Sequence, residues 1–255
     1  MTEPTIWNQL LIWPILNILI AVYKGLALLK IPGAFGWAII VLTLLVRSLL
    51  TPFTKAQLKS AKKLQDLKPR LDELSKKHKG DKTKLQQAQL SLYQEAGINP
   101  AAGCLPLLVQ IPVFISLYNV FIQVLNGGGS EFIERINKVL YHPALRIDNL
   151  DLNFFGINLA VKPNQWQMYG FWLLLIPVIT GVLQYIQTKL MTPATVAPKA
   201  PQQEDQMMAM QKQMGLMMPV MIGFFALSFP IGLALYWNTF TLFGIMQQKQ
   251  VNKGR

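Results

Sequence analysis

Apolar positions in this chain gather into runs long enough to cross a bilayer, separated by one lysine-rich polar block and two loops. Five runs read as spanning helices: about Ala34 to Leu50, Cys104 to Val124, Tyr169 to Leu190, Leu216 to Phe229 and Ile231 to Gln247. An untilted crossing needs about 20 such residues. The fourth run is short and meets the fifth through Phe229-Pro230-Ile231-Gly232, which predicts a tight helical hairpin. Between the first two runs the pattern changes. Leu58, Ala61, Leu64, Leu67, Leu71 and Leu74 recur at helical spacing in a polar background. His78-Lys-Gly80-Asp81 breaks this helix, with Asp81 placed to cap the next one. Leu85, Ala88, Leu92 and Ala96 then lead to Gly97 as a C-cap, and Asn99-Pro100 opens the second span. Residues 54–98 are therefore expected to form a helical hairpin with a thin apolar seam, and so a mobile element. Ile6 to Leu29 is apolar but interrupted by Asn8, Gln9, Pro14, Asn17 and Lys24. It predicts an amphipathic helix on the outer surface, kinked at Pro14, with a further span as the alternative. Met191 to Lys212 contains Thr192-Pro-Ala-Thr-Val-Ala-Pro-Lys-Ala-Pro201 and reads as a flexible link, and Gly127-Gly-Gly-Ser130 as a flexible loop.

Charge orients these elements. The chain is 52% hydrophobic and only 14% charged, with a formal net charge of +12. Soluble domains average about 25% charged residues, so a polytopic membrane protein is expected. The block after the first span carries Lys55, Lys59, Lys62, Lys63, Lys68, Arg70, Lys76, Lys77, Lys79, Lys82 and Lys84 against few acids, which places it in the cytoplasm. Alternation then puts 127–165 outside, 191–212 inside, the N-terminus outside and the basic tail 249–255 inside. Trp7, Trp13, Trp37, Trp166 and Tyr169 sit near run ends, as interfacial aromatics do. Cys104 is the single cysteine, which excludes an intrachain disulfide. His78 and His142 have no partners at metal-ligand spacing, so no metal or other cofactor is expected. No cleavable signal peptide or organellar transit peptide is evident, which favours a bacterial protein of the cytoplasmic (inner) membrane.

Polar residues inside the spans supply the candidate chemistry. Arg47 lies within an apolar run that has no other charge between Lys30 and Lys55. A cation at mid-helix in hydrocarbon costs roughly 3 kcal/mol or more. Thr43, Arg47 and Thr51 share one helix face at i, i+4, i+8. The second span adds Gln110, Ser116, Asn119 and Gln123, the third Thr180, Gln184, Gln187 and Thr188, and the fifth Tyr236, Trp237, Asn238, Thr239 and Thr241. Polar groups in lipid need partners, so several spans supplying them together suggest a shared hydrated cavity with Arg47 as its charge. Plainer readings stand beside this one. Arg47 can snorkel to the cytoplasmic interface; Gln110, Gln184 and Asn119 can bind helices together; Tyr236 and Trp237 can be packing aromatics. Met207, Met208, Met210, Met214, Met217 and Met218 read as an adaptable apolar surface.

Phe35-Gly-Trp with Leu42-Thr43-Leu-Leu-Val-Arg47-Ser-Leu-Leu-Thr-Pro52 resembles the first core span of the YidC/Oxa/Alb membrane insertases. Tyr93-Gln-Glu-Ala-Gly-Ile-Asn-Pro100, Gly103-Cys-Leu-Pro106 and Gln110-Ile-Pro112 are similar to that family's approach to its second core span. Leu235-Tyr236-Trp237-Asn238 with Gln247-Gln248 resembles its last span. The resemblance implies an all-α membrane protein: five transmembrane helices around a hydrated groove, a cytoplasmic helical hairpin and an N-terminal interfacial helix. The expected layout is 1–33 for that helix, 34–248 for the core and 249–255 for the tail. It implies Arg47, Thr43, Gln110, Gln184, Tyr236 and Trp237 as groove residues, and a non-enzymatic insertase. Short hydrophilic tails would cross, and apolar helices would enter the membrane, without nucleotide, since no P-loop is present. The implied partners are nascent membrane proteins and the phospholipid bilayer. The Sec translocon, the signal recognition particle receptor and the ribosome are further candidates, and no direct nucleic-acid specificity is implied. Relative to some members, the chain shows no large outer domain, extra leading span or long basic ribosome-binding tail. Two rival classes remain: a structural or assembly subunit of a membrane complex, and a small transporter. The absence of Asp and Glu from the five runs, and of an internal repeat, speaks against a transporter.

Overall fold

The computed structural model describes residues 2–78, 80–97, 105–127, 130–191 and 206–253. Helices dominate. A π-helical turn, Asn8–Ile12, leads into α1, Trp13–Leu28. Pro14 cannot donate to the preceding turn, and the ladder there widens so that the Trp13 N–H bonds the Asn8 carbonyl. The kink expected at Pro14 thus takes the form of a π turn. The remaining helices are α2 (Ala34–Asp66), α3 (Lys68–Lys77), α4 (Lys82–Glu95), α5 (Leu105–Asn126), α6 (Ser130–Lys138), α7 (Trp166–Tyr169), α8 (Leu175–Met191), α9 (Gln206–Ala226) and α10 (Ile231–Lys253). One antiparallel pair, β1 (Asn153–Phe154) and β2 (Ile157–Asn158), interrupts them with Asn153 opposite Asn158. By length and composition, Asn8–Leu28, Ala34–Ala56 and Phe171–Leu190 can cross a membrane, and Ile111–Leu125 and Gly215–Ala226 are shorter apolar helices.

Contacts fix the relative directions of the long helices. Gly232, Phe240 and Gln247 of α10 meet Ile39, Arg47 and Thr51 of α2 in the same order, so these two helices run parallel. Trp237 and Gly244 likewise meet Gln184 and Gln187 of α8 in order. In α5 the order is reversed, with Leu125 against Gly232 and Phe114 against Trp237. It is reversed again between α8 and α9. A Cβ on Gly223 would lie 3.2 Å from the Pro177 carbonyl, and one on Gly181 would lie 3.5 Å from the Pro219 carbonyl. The repeated Pro-Val-x-x-Gly of residues 177–181 and 219–223 thus lets two backbones approach, with a Cβ in ordinary contact at 181 and tight against the Pro177 carbonyl at 223.

The end of the bundle where α2 and α10 begin is sealed. The N–H groups of Ile231 and Gly232, which a helix start leaves unpaired, donate to the Val161 and Leu159 carbonyls, and the Asn164 N–H donates to Leu227 at the end of α9. The Phe154 ring fills the space beside Gly33 and Gly36. The interrupting polar residues of α1 are bound here. Asn17 donates to the Val139 carbonyl and accepts from the Tyr141 N–H, the Tyr23 hydroxyl accepts from the Asp151 N–H, and Lys24 donates to the Ala144 and Arg146 carbonyls. The core runs from Ile15, Leu16, Leu19 and Ile20 of α1 through Phe35, Ile39 and Leu42 to Leu117, Phe121 and Val124.

The hairpin expected over 54–98 has its break where the spacing puts it. α2 continues through Pro52 to Asp66, Asp81 accepts from the Lys84 N–H at 3.0 Å, and Gly97 is left-handed at φ 61°. Backbone bonding of Lys84 to Asp81 also holds that carboxyl below its ordinary value of 3.8. One expectation needs correction. Residues 206–212 are helical, because the methionines and glutamines that follow Pro201 are good helix formers and no proline interrupts them before Pro219. Between residues 130 and 165 the chain also holds α6, with Phe132 and Ile136 buried one turn apart, and the β pair. Residues 98–104 and 192–205 lie outside the described residues, and with them the Asn99-Pro100 start, Cys104 and most of the Pro/Ala link.

Candidate functional site

One face of α10 gathers the polar stripes of α2 and α8. Arg47 reaches α10 from α2 because its place on the Thr43/Arg47/Thr51 face points it at the parallel neighbour. Its Nε and Nη2 donate to the Phe240 carbonyl oxygen at 3.2 and 3.0 Å, and its guanidinium carbon stands 3.6 Å above the Phe240 ring centre. One residue thus supplies both an acceptor and an aromatic face. The ion pairs among the described residues, Lys84–Asp81 and Lys138–Glu134, lie elsewhere. Arg47 is only 5% exposed. The spacing predicts a charge facing water; the structure sheathes it in protein.

A turn further along α10 is Gly244. A Cβ built there would overlap Arg47 Nη2 and Gln187 Nε2 together. Glycine at this position is what lets the guanidinium from α2 and the amide from α8 share the surface of α10. Two turns before Gly244, Trp237 Nε1 donates to Gln184 Oε1 at 3.2 Å, and one turn after it Gln247 Nε2 donates to Thr51 Oγ1 at 2.8 Å. Between those two contacts the three helices carry amide, guanidinium and hydroxyl groups at successive levels.

The other expected residues are placed as follows. Thr43 is fully buried one turn before Arg47, and its hydroxyl turns back to the Ile39 carbonyl at 2.6 Å. Tyr236 is 1% exposed, with its ring against Phe114, Phe121 and Phe240. Its hydroxyl is buried without a hydrogen-bond partner, as are Ser116 Oγ, Asn238 Oδ1 and Thr241 Oγ1. An unmet buried polar group costs about 1–3 kcal/mol, so these four atoms weigh against the stability of the bundle. Gln110 lies on α5, but its side chain is outside the described residues. Sequence reasoning did not single out Phe240 or Gly244. A backbone carbonyl carries no residue signature, and one glycine among apolar residues reads as packing. Gln187 and Thr51 stood in the polar stripes without being singled out. Donors and a cation in an apolar sheath suit binding of an anionic or polar group.

Residues 27–255 match the family described as 60Kd inner membrane protein. The membrane protein insertase YidC of Oceanobacillus iheyensis is 33% identical over 253 residues, covering 97% of this chain and 84% of that protein. The proteins of the same name from Wolinella succinogenes and Rickettsia akari are 33% and 32% identical over 226 and 221 residues, or 89% and 87% of this chain. The chain spans only about a third of those two longer relatives, 35% and 36%.

Proposed function

The chain belongs to the 60Kd inner membrane protein family, and from that membership we propose that it is a multi-pass membrane protein insertase of the bacterial inner membrane, working through the Arg47 site. Five helices, α2, α5, α8, α9 and α10, cross the bilayer in alternating directions, and the parallel course of α2, α8 and α10 against α5 and α9 supports this. The N-terminus and the sealed end face outward, and the lysine-rich hairpin and the basic tail face the cytoplasm. α1 lies at the outer surface, since its polar residues bond to the 139–151 segment.

A substrate's short hydrophilic tail enters from the cytoplasmic side between α2, α8 and α10. Arg47, Gln184, Trp237, Tyr236, Thr43 and Gln110 replace part of its lost hydration, while the substrate's apolar helix moves along the exposed faces of α8 and α9, where Val178, Val182, Val220 and Phe224 are more than half exposed. Burial of that helix in lipid, at about 0.8 kcal/mol per CH₂, drives release with no nucleotide. Nascent membrane proteins are the partners, received by the cytoplasmic hairpin.

The observation that carries this reading is a buried guanidinium held by a carbonyl oxygen and a ring, both neutral, so that its charge is uncompensated among the described residues. The test is photo-crosslinking from positions 43 and 184, which leave Arg47 in place, during synthesis of a small, acidic-tailed membrane protein into vesicles containing the purified chain. Capture of the tail at both positions, together with protease-protected insertion, is expected. Insertion with no capture at either position refutes the groove, and absence of insertion refutes the activity.

A further inference from the structure

The turn joining β1 to β2 carries a residue that its backbone disfavours. Phe154 pairs with Ile157, so the turn is the two residues Phe155-Gly156. Both have positive φ, 50° at Phe155 and 85° at Gly156. A two-residue hairpin of that kind favours Asn-Gly or Asp-Gly, and a bulky residue in the first position is strained. The ring gains little inside the protein in return. Phe155 is 64% exposed, and its ring contacts are edge-on, with Phe154 at 4.9 Å and Trp37 at 6.4 Å between centroids. A strained position kept for an outward-facing ring points to a partner outside the fold.

The surroundings say which partner. Trp37, against which Phe155 packs, is the first exposed member of a stripe on α2 that continues eight and twelve residues on with Leu45 and Leu49, both more than half exposed. Leu28 and Leu29, also exposed, close α1 just before α2 begins. Lys30 follows them and is the other non-glycine residue of positive φ among the described residues. An apolar stripe that ends in aromatic rings beside a lysine suits the headgroup boundary of a bilayer.

We propose that the Phe155 ring enters the lipid leaflet at which α2 begins, at the boundary between headgroups and acyl chains, and so fixes the depth at which the bundle sits. This rests on α2 crossing the bilayer and goes beyond it, since it gives the β turn a lipid partner. The turn can hold the bundle because it is fastened to two long helices. Phe154 fills the space beside Gly33 and Gly36, where α2 starts. The Leu159 and Val161 carbonyls, just past β2, accept from the Gly232 and Ile231 N–H groups that open α10.

The test uses the full-length chain in phospholipid vesicles, with Cys104→Ser and a fluorophore on Phe155→Cys. A second preparation carries it on Leu45→Cys, midway along the Ala34–Ala56 stretch. A ring at the headgroup boundary lies about 5–10 Å deep. Lipids with a nitroxide near the headgroup are therefore expected to quench the 155 fluorophore about twofold or more better than lipids with one at the chain end, and aqueous iodide only weakly. At 45 the order of the two lipids is expected to reverse. Quenching at 155 by iodide alone overturns the proposal, because the ring then stands in water. Stronger quenching there from the chain end overturns the stated depth. No quenching by any of the three also overturns the proposal, because protein, such as a second copy of the chain, then covers the ring. If neither lipid quenches the 45 fluorophore, the spanning reading of α2 has itself failed. Hydroxyl-radical oxidation of the unsubstituted chain gives a second reading that needs no variant. Under lipid, Phe155 is expected to oxidise about fivefold or more slowly than in the unfolded peptide. A rate more than half that of the peptide, as a ring 64% exposed to water would show, overturns the proposal whatever the labelled variants do.

Discussion

Replacing Arg47 with Met separates a structural arginine from a functional one. Met fills a similar volume without the charge. Holding a cation at this depth costs roughly 3 kcal/mol. Against this stand the bonds to the Phe240 carbonyl, worth about 2 kcal/mol for a charged donor, and the contact with the Phe240 ring, about 1 kcal/mol or a little more when desolvated. The two sides cancel to within about 1 kcal/mol. Nothing in the fold is left unpaired by the change, because the Phe240 carbonyl sits inside helix α10 and keeps its place in the helical ladder. Arg47→Met is therefore expected to unfold within about 1 kcal/mol of wild type in detergent while losing insertion of acidic-tailed substrates. An arginine kept for stability behaves differently, since breaking a buried pair costs about 3–5 kcal/mol. Thermal unfolding followed by tryptophan fluorescence, beside an insertion assay on the same preparation, reads both quantities. Marked destabilisation, or normal insertion of acidic tails by the Met variant, refutes the reasoning.

Four further outcomes follow from other parts of the molecule. Gly223→Val brings side-chain carbons onto the Pro177 carbonyl, which lies 3.2 Å from a Cβ at 223; α8 and α9 must part, at a cost of about 1–3 kcal/mol, read as a lower melting temperature. Gly25→Ala, where a Cβ meets nothing within 4 Å, serves as the control and is expected to be neutral or stabilising by up to about 1 kcal/mol. Asn17→Leu strips the Val139 carbonyl and the Tyr141 N–H of their partner, costing about 1–3 kcal/mol, and amide exchange at residues 139–141 is expected to quicken. For Asp81, the folded state lowers the carboxyl below 3.8 through the Lys84 backbone N–H, so its cap is intact above that value and fails as pH falls through the lowered one. Circular dichroism should then show helix lost from α4 on acidification in wild type, and no such step in Asp81→Ala.

What could be read from the sequence and what could not divides along a physical line. Helix existence, the hairpin break at Asp81 and the left-handed Gly97 all follow from local rules: periodicity, a side chain reaching three residues ahead, and a conformation that favours glycine. That Ala34–Ala56 and Phe171–Leu190 are long and apolar enough to cross a membrane followed from run length, a sum over sequence. The elements that were missed, α6 and the β pair, sit where the chain is polar because its partners are backbone groups of other segments: Asn17 answers Val139 and Tyr141, and Leu159 and Val161 answer the start of α10. The same holds at the site. Periodicity put Arg47 on a face with Thr43 and Thr51 and gave it a charge without a counter-ion. It could not show that the charge is met by a carbonyl and a ring of Phe240, or that Gly244 makes the room. A backbone oxygen and a missing side chain are invisible to residue types. They are also what allows a lone cation to rest in an apolar bundle without a carboxylate of its own. On the proposed insertase reading, an internal acid would satisfy Arg47 better and leave nothing for a passing tail, whereas a neutral seat keeps the fold intact and the charge available.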